Sequence, residues 1–230
     1  MSPRLGSPRL HLRLTDSTND RAKALATAGA PHGTLVTAAE QSAGHGRQGR
    51  SWVAPPGEAL LMSVVLRDPP SLLPLAAAVA VADAVGPEAR IKWPNDILVE
   101  GEKVSGILVE ARLQEGWAVL GIGVNVAVSE FPPELAGIAR SLGGAPADVE
   151  PFLATLLAAL DARLTAPSTE ILDAWRTRDA LRGSTVTWAG GTGTAAGIDG
   201  TGRLVIELPA GGTTSVDAGE VHLGTRGPGA

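Results

Sequence analysis

The run ILVEGEKVSGILVEARLQEGWAVLGIGVNV, residues 97–126, decides the fold. It holds three short apolar segments, ILV at 97–99, VSGILVEAR at 104–112 and WAVLGIGVNV at 117–126. Glu100, Gly101 and Glu102 supply a turn in the first gap, so the spacing predicts consecutive strands in an antiparallel meander. Just upstream, ALLMSVVLR at 59–67 reads as another strand and SLLPLAAAVAVADAV at 71–85 as a largely buried helix. ARIKW at 89–93 is a short strand ended by Pro94.

Farther out, the β-branched run within 33–40 predicts a strand that delivers the chain into the Gly-rich loop QSAGHGRQGRSW. A helix is expected from Ser17, with Asp20 completing a capping-box variant and Gly29 and Pro31 as the stop. Residues 150–164 and 168–181 carry apolar residues at helical spacing and should cover the sheet. From Arg182 the character changes to short β-like runs, STVTWA, GTAAGI, RLVIEL and TTSVDA, ending in EVHLGTR, with GG and DG turns between. The expected architecture is α+β: a mixed or antiparallel sheet covered by helices in residues 1–181, then a small barrel in 182–230.

Composition narrows the function. At 230 residues, 44% hydrophobic and 19% charged, the chain has ordinary globular content, and a net charge of -5 disfavours holding nucleic acid through its phosphates. Cysteine is absent, which excludes thiol nucleophiles and Cys-based metal sites. The four histidines lack metal-ligand spacing, so no metal site is assigned, and His11, His32 and His222 are treated as incidental. The N-terminal stretch with Arg4, Arg9 and Arg13 has no apolar core, and the longest apolar tract, Leu72 to Ala82, is interrupted by Pro74 and closed by Asp83. A cytoplasmic protein with no membrane attachment is expected.

Three stretches carry candidate chemistry. In the loop, Gly44, Gly46 and Gly49 allow close backbone approach while Arg47 and Arg50 offer bidentate donors, which reads as an anion clamp, with a flexible surface loop as the lesser alternative. It lacks the Lys-Ser/Thr pair of a phosphate-binding P-loop. KWPND brings Lys92, Asn95 and Asp96 to one strand end, although Asn and Asp after Pro are also ordinary turn formers. Lys103 either turns into the same pocket or serves as an edge-strand lysine. Asn125 interrupts an apolar strand and needs polar partners, and a helix cap accounts for one of Ser17, Thr18 and Asn19, not all three. Together the cations suit two anionic partners, a carboxylate and a nucleoside triphosphate, reacting without a protein nucleophile.

These residues resemble the biotin protein ligases. STN at 17–19, EQSAGHGRQGRSW at 40–52, KWPND at 92–96, KVSGILVE at 103–110 and GIGVNV at 121–126 stand in that family's order and spacing. The resemblance implies a class II synthetase-like catalytic fold with a C-terminal SH3-like barrel. It also implies a two-step reaction, in which biotin and ATP, with Mg²⁺, give biotinyl-5′-AMP. A lysine of a biotin carboxyl carrier protein, or carrier domain of a biotin-dependent carboxylase, then takes the biotinyl group. By motif match, Ser17, Thr18, Asn19, Gln41, Gly44, His45, Gly46, Arg47, Lys103 and Gly106 would bind biotin. Arg47, Arg50, Trp52, Lys92, Asn95, Asp96 and Asn125 would hold the nucleotide, and Arg47, Lys103 and Asp96 would be catalytic, Asp96 assisting deprotonation of the incoming lysine or organising the metal. His45 departs from the pattern, standing where the GRGRxGR form of the loop has Arg. Only 16 residues precede Ser17, too few for a helix-turn-helix domain, so direct DNA binding is not expected. Dimerisation stays open. The rival readings are a lipoate- or octanoate-protein ligase and a non-catalytic sensor of biotin or its adenylate.

Overall fold

The structure, a computed structural model, describes residues 5–217 and 221–223. Arg4, Glu220 and residues 224–226 of the last expected run lie outside them. The elements are β1 (Arg9–Leu12), α1 (Thr18–Thr27), β2 (Leu35–Ala38), β3 (Leu60–Arg67), α2 (Leu73–Val85), β4 (Arg90–Lys92), β5 (Asp96–Val99), β6 (Glu102–Arg112) and β7 (Trp117–Val124). There follow α3 (Val149–Leu164), α4 (Ser168–Arg176), β8 (Thr185–Trp188), β9 (Gly191–Ile198), β10 (Leu204–Glu207), β11 (Thr213–Val216) and β12 (His222–Leu223). The first seven strands form one sheet in the order β1-β2-β3-β7-β6-β5-β4, parallel between β1 and β2 and antiparallel elsewhere. The expected meander is present as β5-β6-β7, extended by β4 at its edge.

Strand alternation gives the large sheet two different faces. Leu60, Met62, Val64 and Leu66 of β3, with Ala118, Leu120, Ile122 and Val124 of β7, join the main core beneath α2 and α3. The helix α2 is buried almost all round because the sheet, α3 and α4 surround it, which explains a sequence with apolar residues on every side. On the opposite face, α1 covers only one end of the sheet, where Ala22 and Ala26 pack with Val36, Val65, Trp117 and Val119. The other end of that face is left to the loop 41–52, and the candidate site lies there.

Several local expectations change. The capping box at Ser17 does not form: Ser17 makes no side-chain cap, Asp20 instead pairs with Lys23 and His45, and the Thr18 N–H is taken by Gln41 Oε1 at 2.7 Å. The helix stop is as expected: Gly29 has φ 87, and the Ala30 and Gly29 amides close back on Leu25 and Ala26. Strand β1 went unread; its alternating RLHL pattern becomes an edge strand only by pairing with β2. The last helix ends at Arg176 rather than 181, because Arg178 and Ala180 exchange backbone hydrogen bonds with Ile91 and so extend the β4 edge.

The C-terminal strands form an antiparallel sheet in the order β11-β10-β9-β8-β12. Among the described residues its two outer strands do not pair, so the expected barrel is an open, SH3-like sheet. Val186, Ala195, Ile198, Leu204 and Ile206 join the main core, and Trp93 Nε1 donates to Gly202 O at 3.1 Å, so this sheet is anchored to the KWPND strand end.

The β9–β10 turn is organised by Asp199, which accepts bonds from Thr201 N, Thr201 Oγ1, Arg203 N and Arg203 Nε at 2.7–3.1 Å. Burial alone would raise its pKa; these donors outweigh that and hold it at about 2. Because this lies below the ordinary carboxylate value, the stabilisation is present above about pH 4 and fades as pH falls toward 2. Asp199→Ala is expected to lose about 1–2 kcal/mol at pH 7. The Tm gap to the unsubstituted protein should narrow between pH 4 and 2; a constant gap over that range would contradict the assignment.

Candidate functional site

The site begins with missing side chains. Gly106 of β6 and Gly123 of β7 are direct cross-strand partners, and Gly121 lies two residues along on the same face. The Trp52 ring rests on this shelf: a Cβ on Gly123 would come within 2.5 Å of its Cε2, and one on Gly106 within 3.0 Å of its Cζ3. Asn19 fills the space above Gly121, where any Cβ would overlap its Oδ1. Above the floor opens a cavity of about 450 Å³.

Lys103 and Gly106 both face this cavity, although residues three apart in a regular strand point to opposite sides. A β-bulge resolves the conflict: the β5–β6 register runs Ile97↔Ser105 and then Leu98↔Lys103, leaving Val104 as the extra residue, buried in the main core. Lys103 Nζ then lies 2.6 Å from Asp96 Oδ1 and 5.6 Å from the Trp52 ring centroid. Of the two readings left open for Lys103, it is the inward one that holds. Asp96 sits opposite Gly106 at the start of β5. Asn95 is fixed by its Nδ2 bond to Ile107 O and receives Arg47 Nη1 at 3.4 Å.

The loop is folded back as a narrow hairpin. Trp52 N donates to Gly44 O at 2.9 Å and Gly46 N to Arg50 O at 2.6 Å, while Gln48 and Gly49 take left-handed conformations at the tip. Arg47 and Arg50 flank that tip and line the cavity. Gly44 does not line it; there a Cβ would strike Trp52 O, so this glycine is needed for the hairpin itself. His45 borders the cavity, but its Nε2 pairs with Asp20 Oδ2 at 2.8 Å, tying the loop to α1. Burial alone would raise the Asp20 pKa; bonds from Lys23 and His45 outweigh it and hold the carboxyl below its ordinary range.

Of the remaining expected residues, Ser17, Thr18, Asn19, Gln41, Lys92 and Asn125 all line the cavity. Asn125, just beyond β7, directs its Nδ2 to the backbone carbonyls of Arg140 and Lys103, so it pins the 138–142 segment beside the site. Sequence reading missed Gly121, Gly123 and the wall formed by Phe131, Leu135 and Ile138, and it missed Ser63 and Glu110, which lie behind the lining and bond Asn19. Glu110, Gly121 and Gly123 stood inside the quoted motifs; Ser63, within an apolar strand, gave no signal. A second cavity of about 400 Å³ adjoins the first across Arg47 and Asn95, walled by Trp93, the start of α2 and the Gly202 turn.

The Trp52 Nε1–H is buried without an acceptor among the described residues, which costs about 1–3 kcal/mol and leaves the ring resting on the shelf without being locked there. Gly123→Ala is expected to lift the indole, lowering stability by about 1–2 kcal/mol and shifting Trp emission to the red. In a Trp52→Phe background the emission change should vanish; if it persists, another Trp reports it.

Residues 11–126 match the Biotin/lipoate A/B protein ligase family, and residues 189–224 match the Biotin protein ligase C terminal domain. The chain is 41% identical over 155 residues to the bifunctional ligase/repressor BirA of Bacillus subtilis, covering 61% of this chain and spanning about half, 48%, of that relative. It is 37% identical over 234 residues to a biotin–[acetyl-CoA-carboxylase] ligase of Mycobacterium tuberculosis, covering 91% of this chain and 86% of the relative. The solved biotin protein ligase of Aquifex aeolicus in complex with biotin and ATP superposes with a TM-score of 0.82 at 28% identity, covering 94% of this chain and 98% of that one. A glycine-floored, cation-lined cavity built from the five motifs, with these matches over most of its length, means that the chain belongs to the biotin/lipoate A/B protein ligase family.

Proposed function

We propose that the chain is an ATP-dependent biotin protein ligase, forming biotinyl-5′-AMP and passing biotin to a lysine of a carboxylase's carrier protein or domain. The observation that carries this is the convergence of Arg47, Lys92 and Lys103 on one cavity whose floor is glycine. Two anions repel, and a shared cationic wall removes that repulsion while holding them in line. The biotin-ligase relatives favour biotin over lipoate, and Arg47 and Lys103 inside the cavity favour turnover over sensing.

Biotin would lie toward Ser17–Asn19 and Gln41, and the nucleotide toward Arg50, Trp52, Lys92 and Asn95. A biotin carboxylate oxygen attacks the α-phosphorus, and pyrophosphate leaves. Arg47 and Lys103 neutralise the charge that builds on the phosphoryl oxygens. Among the described residues Asp96 is the only acidic one lining the cavity and no cluster of three metal-ligating side chains exists, so Mg²⁺ would come with ATP, its remaining ligands drawn from phosphate oxygens. The Lys103–Asp96 pair is partly exposed and so screened by solvent, and an incoming phosphate, which carries more negative charge than one carboxylate, competes with Asp96 for Lys103 and frees the carboxylate for the second step. In the second step the acceptor amine attacks the mixed-anhydride carbonyl, AMP leaves, and Asp96 takes the amine's proton.

In this reading residues 1–181 carry the chemistry and 182–230 brace the KWPND strand end through the Trp93–Gly202 bond. No helix among the described residues is long and apolar enough to cross a membrane, and we place the protein in the cytoplasm with its carrier.

With ATP, Mg²⁺ and biotin, the protein should label a carboxylase carrier domain; label from lipoate alone would favour the rival ligase. Lys103→Ala should slow adenylate formation about 100-fold or more with Tm within a few degrees. A collapsed Tm with normal activity per folded molecule would make Lys103 structural. Asp96→Asn should form adenylate but transfer it about 10- to 100-fold more slowly, with the loss shrinking at high pH, where the acceptor amine deprotonates unaided.

A further inference from the structure

From the end of the cavity formed by α1 a chain of polar side chains runs back through Ser63 to Glu110 and Lys23, which the proposed reaction does not use. Glu110 of β6 shares its strand face with Gly106 and receives two donors, Lys23 Nζ on Oε1 and Asn19 Nδ2 on Oε2, both at 2.8 Å. Burial alone would lower the Lys23 pKa; its pairing with Asp20 and Glu110 outweighs this and keeps the ammonium charged. Asn19 is 4% exposed, and its Oδ1 lies 2.6 Å from Ser63 Oγ, which is wholly buried. Ser63 Oγ is 2.8 Å from Thr18 Oγ1; the Thr18 N–H donates to Gln41 Oε1 at 2.7 Å, and the Thr18 hydroxyl, 3.0 Å from that same oxygen, has one proton to place between Ser63 and Gln41.

We infer that Glu110, which does not line the cavity, is a positioning residue: its charge sets the proton order of the Asn19–Ser63–Thr18 chain and so decides which hydrogen-bonding atoms the cavity offers to the acid's polar head. A carboxylate paired with an ammonium only accepts, so Asn19 must turn its NH₂ toward Glu110 and its carbonyl toward Ser63. A carbonyl also only accepts, so the single Ser63 proton is committed to Asn19. Ser63 then offers Thr18 a lone pair and no proton. Gln41, its carbonyl held by the Thr18 backbone N–H, keeps its NH₂ for other partners. The end of the cavity thereby presents an acceptor oxygen on Thr18 and a donor amide on Gln41. That pairing matches a group carrying both N–H and C=O, such as the cyclic urea of biotin, and to this extent the inference rests on the biotin-ligase reading above. Without the fixed charge Asn19 has two amide orientations of similar energy, and in the reversed one Ser63 donates to Thr18, which leaves the Thr18 hydroxyl free to donate into the cavity in place of accepting.

Glu110→Gln keeps the shape and removes the charge. Its KM for biotin in adenylate formation is expected to rise about 10-fold or more, as for one buried hydrogen bond left unmade, while kcat at saturating biotin and KM for ATP stay within about twofold. Lys23→Met, which leaves the Glu110–Asn19 bond in place, should change the biotin KM less than about threefold. An unchanged biotin KM in Glu110→Gln, or an equal loss in Lys23→Met, would overturn the assignment, as would a fall in both KM values and kcat together with Tm. A readout independent of substrate is the ¹⁵N side-chain amide signal of Asn19, identified by its loss in Asn19→Asp. With Asn19 held in one orientation it should give a single sharp NH₂ pair at neutral pH in the unsubstituted protein and a doubled or exchange-broadened one in Glu110→Gln, and the same pattern in both would also overturn the assignment. If the unsubstituted protein failed to activate biotin while these amide signals behaved as expected, the ligase reading would fall and the positioning role would stand.

Discussion

A sheet that carries no side chains at two paired positions cannot be covered there by ordinary packing, and the site depends on that gap. Gly106 and Gly123 face each other across β6 and β7 in the middle of a seven-stranded sheet. On the reverse face the same strands send Ile107, Ile122 and Val124 into the main core, so the shelf is held rigidly from behind. An open pocket on a close-packed scaffold needs this asymmetry, because side chains at native density leave few voids larger than a water molecule. Trp52 lies across the shelf at the end of a loop whose hairpin turns only because glycine stands at position 44.

The electrostatics follow from the same geometry. Bringing Arg47, Lys92 and Lys103 to one cavity is unfavourable by itself, and partners in the structure moderate it: Asp96 on Lys103 and the Asn95 carbonyl oxygen on Arg47. Away from the cavity, further ties hold the frame. Asp83 of α2 accepts from Arg163 of α3 and from Arg178 beyond α4, each at 2.7 Å, and so joins the helices that back the sheet to the segment that completes the β4 edge.

At the far end of the cavity the constraint is directional rather than electrostatic in magnitude. Ser63, Thr18 and Asn19 are each under 5% exposed, and every buried hydroxyl or amide there has to find a partner. Once one member of such a chain is fixed as an acceptor, the rest are ordered in turn. Glu110 supplies that fixed end from outside the cavity, tied in its turn to Lys23 and Asp20 on α1. The same Asp20 holds His45 of the loop, so loop, helix and central strand share one network.

How much of this was legible in the sequence depends on the range of the interaction involved. Apolar runs separated by Glu100–Gly101 spelled out the meander, and the stop at Gly29 and the buried α2 were readable too, because backbone geometry and burial pattern act over a few neighbouring residues. The motifs likewise contained the polar and charged residues that line the cavity, though not its apolar wall. The tertiary structure decided the rest. The inward turn of Lys103 needs a bulge at Val104, which depends on how β6 registers against β5. The Ser17–Asp20 capping box looked sound locally and lost to His45 and Gln41, brought to it by the loop. Strand β1 and the edge segment after α4 exist because β2 and β4 offer unpaired backbone to them. Ser63 and Glu110 gained their place only when α1 was laid across the sheet, since a hydrogen bond between residues 44 or 91 positions apart leaves no trace in local spacing.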